Sequence, residues 1–512
     1  MRAARILDGT LALGAVAVGV PSLLYPFGWD TSVHFYVARE WLLRGQIPYR
    51  DVFDHKTPGI HLIHVALIAI FGESMWPIHA FELALVLAIG MLGAWAAAPR
   101  GGEPAPGTRG AAAFAASVFY YGFFDHWNTA QCELTCATLT LAAVVAAQRM
   151  RVGRAEIAAG LLGGAAIVVK PVAVAALAIA ALLLAWRAPG GRVRRLLVFG
   201  AAACAPSILV VAYFAAHGAL GAMFEILASA NLHYVANEPG ATSLAGFVGI
   251  LRWETRLFAP FDVLAPLAAL GGWASARIAG RRDRAAPYLL ASALFASTVL
   301  AVAVQLKLYV YHWSLATPAV AVLAAACASD LGRVVRVRAI APLVVAAASF
   351  AALATATGPF AAWRKEVSAT VGYARGTVSD ADLRRRYDDV PPRRKFSELW
   401  AIGTWVRDHT APDDPVYVRG VSVEIYVISG RRAPSRFFWT PFVYQQTRAY
   451  SDAWRHEHEA ALDAHPPRYV VFPPGSPRAE ISFFETRGYA QVHAVGAYRV
   501  YAPGAAHVSQ SF

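Results

Sequence analysis

The sequence predicts an α-helical polytopic membrane protein, with about eleven transmembrane helices and a small C-terminal α/β domain outside the cytoplasm. Three observations predict it. Apolar runs recur through the first 358 residues, most of them near the roughly 17–25 residues that a bilayer requires. Charged residues make up only 15% of the 512-residue chain and hydrophobic residues 57%, whereas soluble domains carry roughly 25% charged residues. Arginine clusters occupy every second connection between the runs, the pattern that fixes orientation in a membrane.

The runs lie at 6–26, 75–97, 110–124, 130–148, 155–169, 171–187, 196–216, 257–276, 286–304, 313–329 and 339–358. Arg2 and Arg5 precede the first. Arg100 and Arg109 follow the second, and Arg149, Arg151 and Arg154 the fourth. Arg187, Arg192, Arg194 and Arg195 follow the sixth, Arg277, Arg281, Arg282 and Arg284 the eighth, and Arg333, Arg336 and Arg338 the tenth. All these fall on one side, which is then cytoplasmic, together with the N-terminus. The first run follows Met-Arg-Ala-Ala-Arg but has no small-x-small cleavage site before Phe27, so it reads as a retained helix. Residues 59–72 are too short for a span and contain His61 and His64. Counting them would place every later arginine cluster outside, so they read as an interfacial helix. The outward connections are 27–74, 125–130, 217–256 and 305–312, with an amphipathic stretch around Met223–Leu232.

Residues 359–512 form the second domain. Arg384–Lys395, with Pro391-Pro392, reads as a linker. Helices are expected at 396–409, 423–429 and 450–464, and strands at 415–420, 436–439 and 469–472, with a strand pair over 492–501. Gly420 is a single turn glycine, so no dinucleotide fingerprint is present.

The net charge of +13 points to anionic membrane lipid. Nucleic acid is excluded as a partner because the arginines are scattered in short clusters between apolar runs rather than gathered in one patch. Four cysteines, Cys132, Cys136, Cys204 and Cys327, lie in or beside spans and form neither a disulfide framework nor a zinc spacing.

The first outward loop carries the chemistry. Asp30 sits at the mouth of the first span, where a carboxylate borders low dielectric and needs partners. Arg39, His55 and Lys56 are available in the same loop. Such a group suits displacement at a sugar carbon with a phosphate leaving group: the acid takes a hydroxyl proton and the cations stabilise the departing phosphate. It reads equally as a charged cluster that seats the interfacial helix.

The segment resembles the first outer loop of the GT-C superfamily of glycosyltransferases, in particular the aminoarabinose transferases of lipid A, the protein O-mannosyltransferases and the RgtA/B/C/D-like proteins. Asp30, Arg39-Glu40, Gly45 and Asp54-His55-Lys56-Thr57-Pro58 match the family's elements in order. Thr31 replaces the acid often found after the first Asp, and His55 and Thr57 are inserted in the acid–Lys–Pro element. The resemblance implies a GT-C transmembrane module over 1–358 in a bacterial inner membrane. It implies inverting transfer of a sugar from a polyprenyl-phosphate donor to a glycan, lipid or protein acceptor on the outer face. Asp30 and Glu133 become the catalytic carboxylates. Arg39, Glu40, Asp54, His55, Lys56, Lys170, Lys307 and His312 become substrate-binding residues. No cofactor is required, although the resemblance admits a divalent metal. The competing expectations are a polysaccharide polymerase or ligase with polyprenyl-linked donors, and a transporter. Transporters tend to place ionisable groups at the midplane, whereas here they gather at span ends.

Overall fold

The computed structural model describes residues 2–187, 190–232, 244–306, 309–335, 340–388, 395–444 and 448–504. Lys307, Arg336, Arg338 and part of the linker around Pro391-Pro392 lie outside the described residues.

The predicted apolar runs are helical along most of their described length. Among the described residues, five helices are long and apolar enough to cross a membrane alone: Arg5–Leu24, Trp76–Ala97, Arg192–Ala216, Arg282–Gln305 and Val310–Val334. Two bent pairs raise the number to seven among the described residues, Val248–Arg256 with Phe261–Ile278 and Ile340–Thr355 with Thr357–Ala374, bent by 93° and 103°. Thr108–Phe123, Cys132–Arg149, Arg154–Val169 and Val174–Trp186 are shorter or less apolar. The physical reason is clearest in the first two. Their residues are mostly buried against neighbouring helices, so alanine, glycine and threonine serve there in place of a long lipid-facing surface. The main core joins Val86, Ile89, Tyr120, Phe124, Leu141, Leu294 and Val322 from these helices. Arg149, at the bundle end remote from the C-terminal domain, donates to the carbonyls of Trp95 and Pro99 (2.5 and 2.7 Å) and so caps Trp76–Ala97.

The first long loop folds into two helices, Trp29–Arg44 and Pro58–Phe71. Gly45 closes the first with φ +66°, the left-handed backbone that glycine adopts at no steric cost. Pro58 starts the second, where its missing N–H costs nothing. Pro58–Phe71 buries His61 and His64 and exposes Leu62, Ile70 and Phe71.

The C-terminal domain holds a four-stranded sheet in the order β1-β2-β4-β3, with β1 Val416–Val418, β2 Tyr469–Phe472, β3 Tyr489–Val495 and β4 Tyr498–Pro503. β1 runs parallel to β2, with Tyr417 opposite Val470, and β4 is antiparallel to both β2 and β3. The parallel pair requires a long crossover, which Glu424–Ser429 and Arg448–Ala464 supply.

The expected strand at 436–439 does not form. Phe53 N–H donates to the Arg436 carbonyl at 3.0 Å and the Arg436 guanidinium donates to the Tyr49 carbonyl at 2.9 Å. The segment is thus held by the first loop instead of a sheet edge. Phe437 packs with Phe53 and Trp454, and Phe438 with Tyr36. Two cores consequently cross the expected domain boundary. One joins Val33, Tyr36 and Val37 to Leu399, Val416 and Tyr426; the other joins Tyr49 and Phe53 to Phe214, Met223, Phe437 and Trp454.

Candidate active site

The site is built where the first loop, the starts of two helices and the end of a third meet, at the bundle end that carries the C-terminal domain. Asp30 lies in the first turn of Trp29–Arg44, where free backbone N–H groups favour an anion. The turn is set tightly: a Cβ on Gly28 would lie 3.1 Å from the His126 carbonyl and 3.3 Å from the Trp127 Cα. Asp30 Oδ2 accepts from Lys56 Nζ at 3.2 Å, and both side chains keep partial exposure, 21% and 16%. Burial, the largest influence, pushes the Asp30 carboxyl up; Lys56, His34 and His55 together outweigh it and hold the group below its ordinary value. For Lys56 burial pulls down, and Asp30 followed by Tyr311 overcomes it, leaving the ammonium well above its ordinary value.

Lys56 is placed by its neighbours. Asp54 accepts the Lys56 backbone N–H at 3.3 Å, a turn that Asp side chains favour. Asp54 is itself buried, facing His61 Nε2 at 3.0 Å and His55 Nδ1 at 3.3 Å. Burial would raise its carboxyl, but the neighbouring His55 and His61 hold it well below the usual range. Beyond Lys56, Thr57 Oγ1 donates to the Val169 carbonyl at 2.7 Å. Gly59 lies so close to Val169 that a Cβ there would come within 2.6 Å of the Val169 Cα.

Those contacts bring in Lys170, which follows Arg154–Val169 and precedes Pro171. Lys170 pairs with Glu133, in the first turn of Cys132–Arg149. Glu133 is fully buried, and His312 Nε2 stands 3.7 Å from its Oε1. Tyr311 closes the group: Lys56 Nζ and Lys170 Nζ lie 5.7 and 5.8 Å from its ring centre, within reach of cation–π attraction. Asp30, Lys56, Glu133, Lys170 and His312 thus form one cluster, with two cations and two carboxylates. An incoming phosphate could compete for either ammonium, and each carboxylate released from its lysine would be free to accept a proton.

Other expected site residues lie elsewhere. Arg39 and Glu40 are more than two turns along the helix, about 14–15 Å from Asp30 at 1.5 Å per residue. Arg39 donates to the carbonyls of Tyr426 and Arg431 at 2.9 and 2.7 Å and pairs with Glu40 at 3.0 Å; Arg44 holds Glu40 from the next turn. His55 faces the C-terminal domain, stacked on Trp439, while its carbonyl accepts from Asn231. Lys307 lies outside the described residues. For the divalent metal, no group of three or more His, Cys, Asp or Glu among the described residues could hold an ion, and none of the chemistry below uses one. Tyr311 was missed. It reads as an ordinary interfacial aromatic, and only the alternation Tyr309-Val-Tyr311-His312 hints that one face of the segment is polar.

No family model matches the chain, and no curated protein matches it. Solved structures do match. The crystal structure of ArnT from Cupriavidus metallidurans in the apo state aligns with a TM-score of 0.58 and 14% identity, covering 97% of each chain. That of the same protein bound to undecaprenyl phosphate aligns with a TM-score of 0.51 and 14% identity, covering 98% of each. The chain therefore has the fold of ArnT, an aminoarabinose transferase of the GT-C glycosyltransferase type, along essentially its whole length.

Proposed function

We propose that this protein is a membrane glycosyltransferase that moves a sugar from a polyprenyl-phosphate donor to an acceptor hydroxyl with inversion. One observation carries the reading: two lysine ammonium groups flank the Tyr311 ring, each paired with a carboxylate, at one end of an apolar helical bundle. A buried ion pair is a costly way to stabilise a fold, and two side by side fit a site that exchanges partners. The fold neighbour with undecaprenyl phosphate bound supports a lipid phosphate as the anion.

The donor's phosphate is held between Lys56 and Lys170, its chain among the apolar helices. Asp30 takes the acceptor hydroxyl's proton as that oxygen bonds to the anomeric carbon. The bond from that carbon to the phosphate oxygen breaks, and the polyprenyl phosphate leaves with the electron pair, stabilised by the two ammonium groups. Glu133 and His312 orient Lys170. Asp54 fixes the turn bearing Lys56, and His55 ties that turn to the C-terminal domain. Arg39 and Glu40 dock the domain on the loop helix and do not touch substrate. The arginine-rich bundle end is cytoplasmic by the positive-inside rule, which puts the site and the C-terminal domain on the outer face of a bacterial inner membrane.

The test is a screen of undecaprenyl-phosphate monosaccharides with purified full-length protein in lipid nanodiscs. At least one should release undecaprenyl phosphate, and the α or β configuration of the product, compared with the donor, should be inverted. Turnover restricted to oligosaccharide diphosphate donors would replace this reading with a polymerase.

A further inference from the structure

Glu82 is a carboxylate that the chemistry above does not use. It lies within the membrane helix Trp76–Ala97 and is 2% exposed. Among the described residues it has two hydrogen-bond donors: the Tyr120 hydroxyl, and the backbone N–H of Ala130 at 2.6 Å. His79 Nδ1 stands 3.7 Å away. Ala130 has φ +57°, a left-handed backbone that non-glycine residues enter rarely. It lies in the connection 125–131, one residue before the N-cap Gln131 of Cys132–Arg149, which carries Glu133 in its first turn. The same connection abuts the other carboxylate's helix. The His126 carbonyl and Trp127 press on Gly28, and Trp127 meets Trp29 edge-on at 5.4 Å.

We infer that Glu82 is a positioning residue: it pins the 125–131 connection from below and thereby sets where Glu133 stands relative to Lys170 and to Asp30. A buried carboxylate in a membrane helix is expensive, and this one accepts from a left-handed turn residue as well as from Tyr120 on the neighbouring helix. The inference rests on the proposed function only for the consequence of misplacing Glu133. The hold on the turn is independent of it.

The experiment uses full-length protein in nanodiscs and the variants E82A, E82Q, E133Q and E82A/E133Q. Hydrogen exchange is read over 125–133, and undecaprenyl phosphate is the binding probe. E82A removes the acceptor of the Ala130 N–H, so exchange there should rise about tenfold or more, with smaller changes in remote helices. E82Q keeps an acceptor oxygen and should restore protection. E133Q removes the anion that competes for Lys170 and should tighten undecaprenyl phosphate binding by about fivefold or more. E82A should shift affinity in the same direction, and E82A/E133Q should bind like E133Q alone. Unchanged exchange in E82A, or additive effects in the double variant, would overturn the inference. If the wild type binds no undecaprenyl phosphate while exchange in E82A still rises, the lipid-phosphate reading falls and Glu82's hold on the turn stands.

Discussion

The helix Trp29–Arg44 carries charged groups at both ends, and the two ends are built differently. At the first, Asp30 and Lys56 share one contact and keep part of their surface open. At the other, Arg39 and Glu40 are closed off: Arg39 is committed to Glu40 and to two carbonyls of the C-terminal domain, and Glu40 also accepts from Arg44. The chemical vocabulary is the same, an acid and a cation on one loop. Spare hydrogen-bonding capacity and access separate a pair that can exchange partners from a pair that can only hold two surfaces together.

Asp30→Asn probes the open end most severely. If Asp30 takes the acceptor proton, turnover should fall by roughly 10²–10⁴-fold, with the melting temperature nearly unchanged; full activity would remove Asp30 from that role. Arg39→Ala probes the closed end. It leaves Glu40 and two carbonyls short of a buried donor, and should destabilise docking of the domain by about 3–5 kcal/mol, read as a lower melting temperature and faster proteolysis near residues 375–395. Lost turnover at unchanged stability would move Arg39 into the site and erase the contrast.

Lys170→Met should weaken undecaprenyl phosphate binding by roughly 10–100-fold, the range for one lost charge-assisted hydrogen bond; an unchanged Kd would leave Lys170 as only Glu133's partner. The smallest effect concerns pH. Asp30 is held below its ordinary value, so it is ionised above the usual value of about 3.9 and protonates only as pH falls through a lower one. Its contribution to stability follows the same course, present above the ordinary value and lost on acidification. Lys56→Met removes the largest lowering influence, so the acid limb of kcat at saturating donor should move up by about one to three pH units. A limb that stays in place would mean that Lys56 does not tune the acid.

Much of the cluster was legible because its residue types are rare where they occur. Asp30, Glu133 and Lys170 border apolar runs, where a charge needs a reason, and all three meet at the site. Where Arg39 and Glu40 go was not legible because periodicity gives distance along a helix but not what covers its far end; the covering surface comes from residues near 430. The false strand at 436–439 has the same origin. Two phenylalanines flanked by Arg and Trp look like a pleat, yet they fill two cores supplied by the first loop. Glu82 escaped notice because nothing local marks a turn residue 48 positions away as its partner. The apolar runs were legible even where a helix is short or only moderately apolar, as in Cys132–Arg149, which faces mostly protein.

The hydrogen bond from Thr57 to Val169, together with the bare Cα of Gly59 against the same residue, has a mechanical consequence. Each adjoins a lysine, so the two ammonium groups ride on backbones already fastened to one another. The spacing of the two backbones that carry the lysines is a property of the folded chain. A single methyl at position 59 would force those backbones apart, so the proposed phosphate grip depends on a residue that touches no ligand.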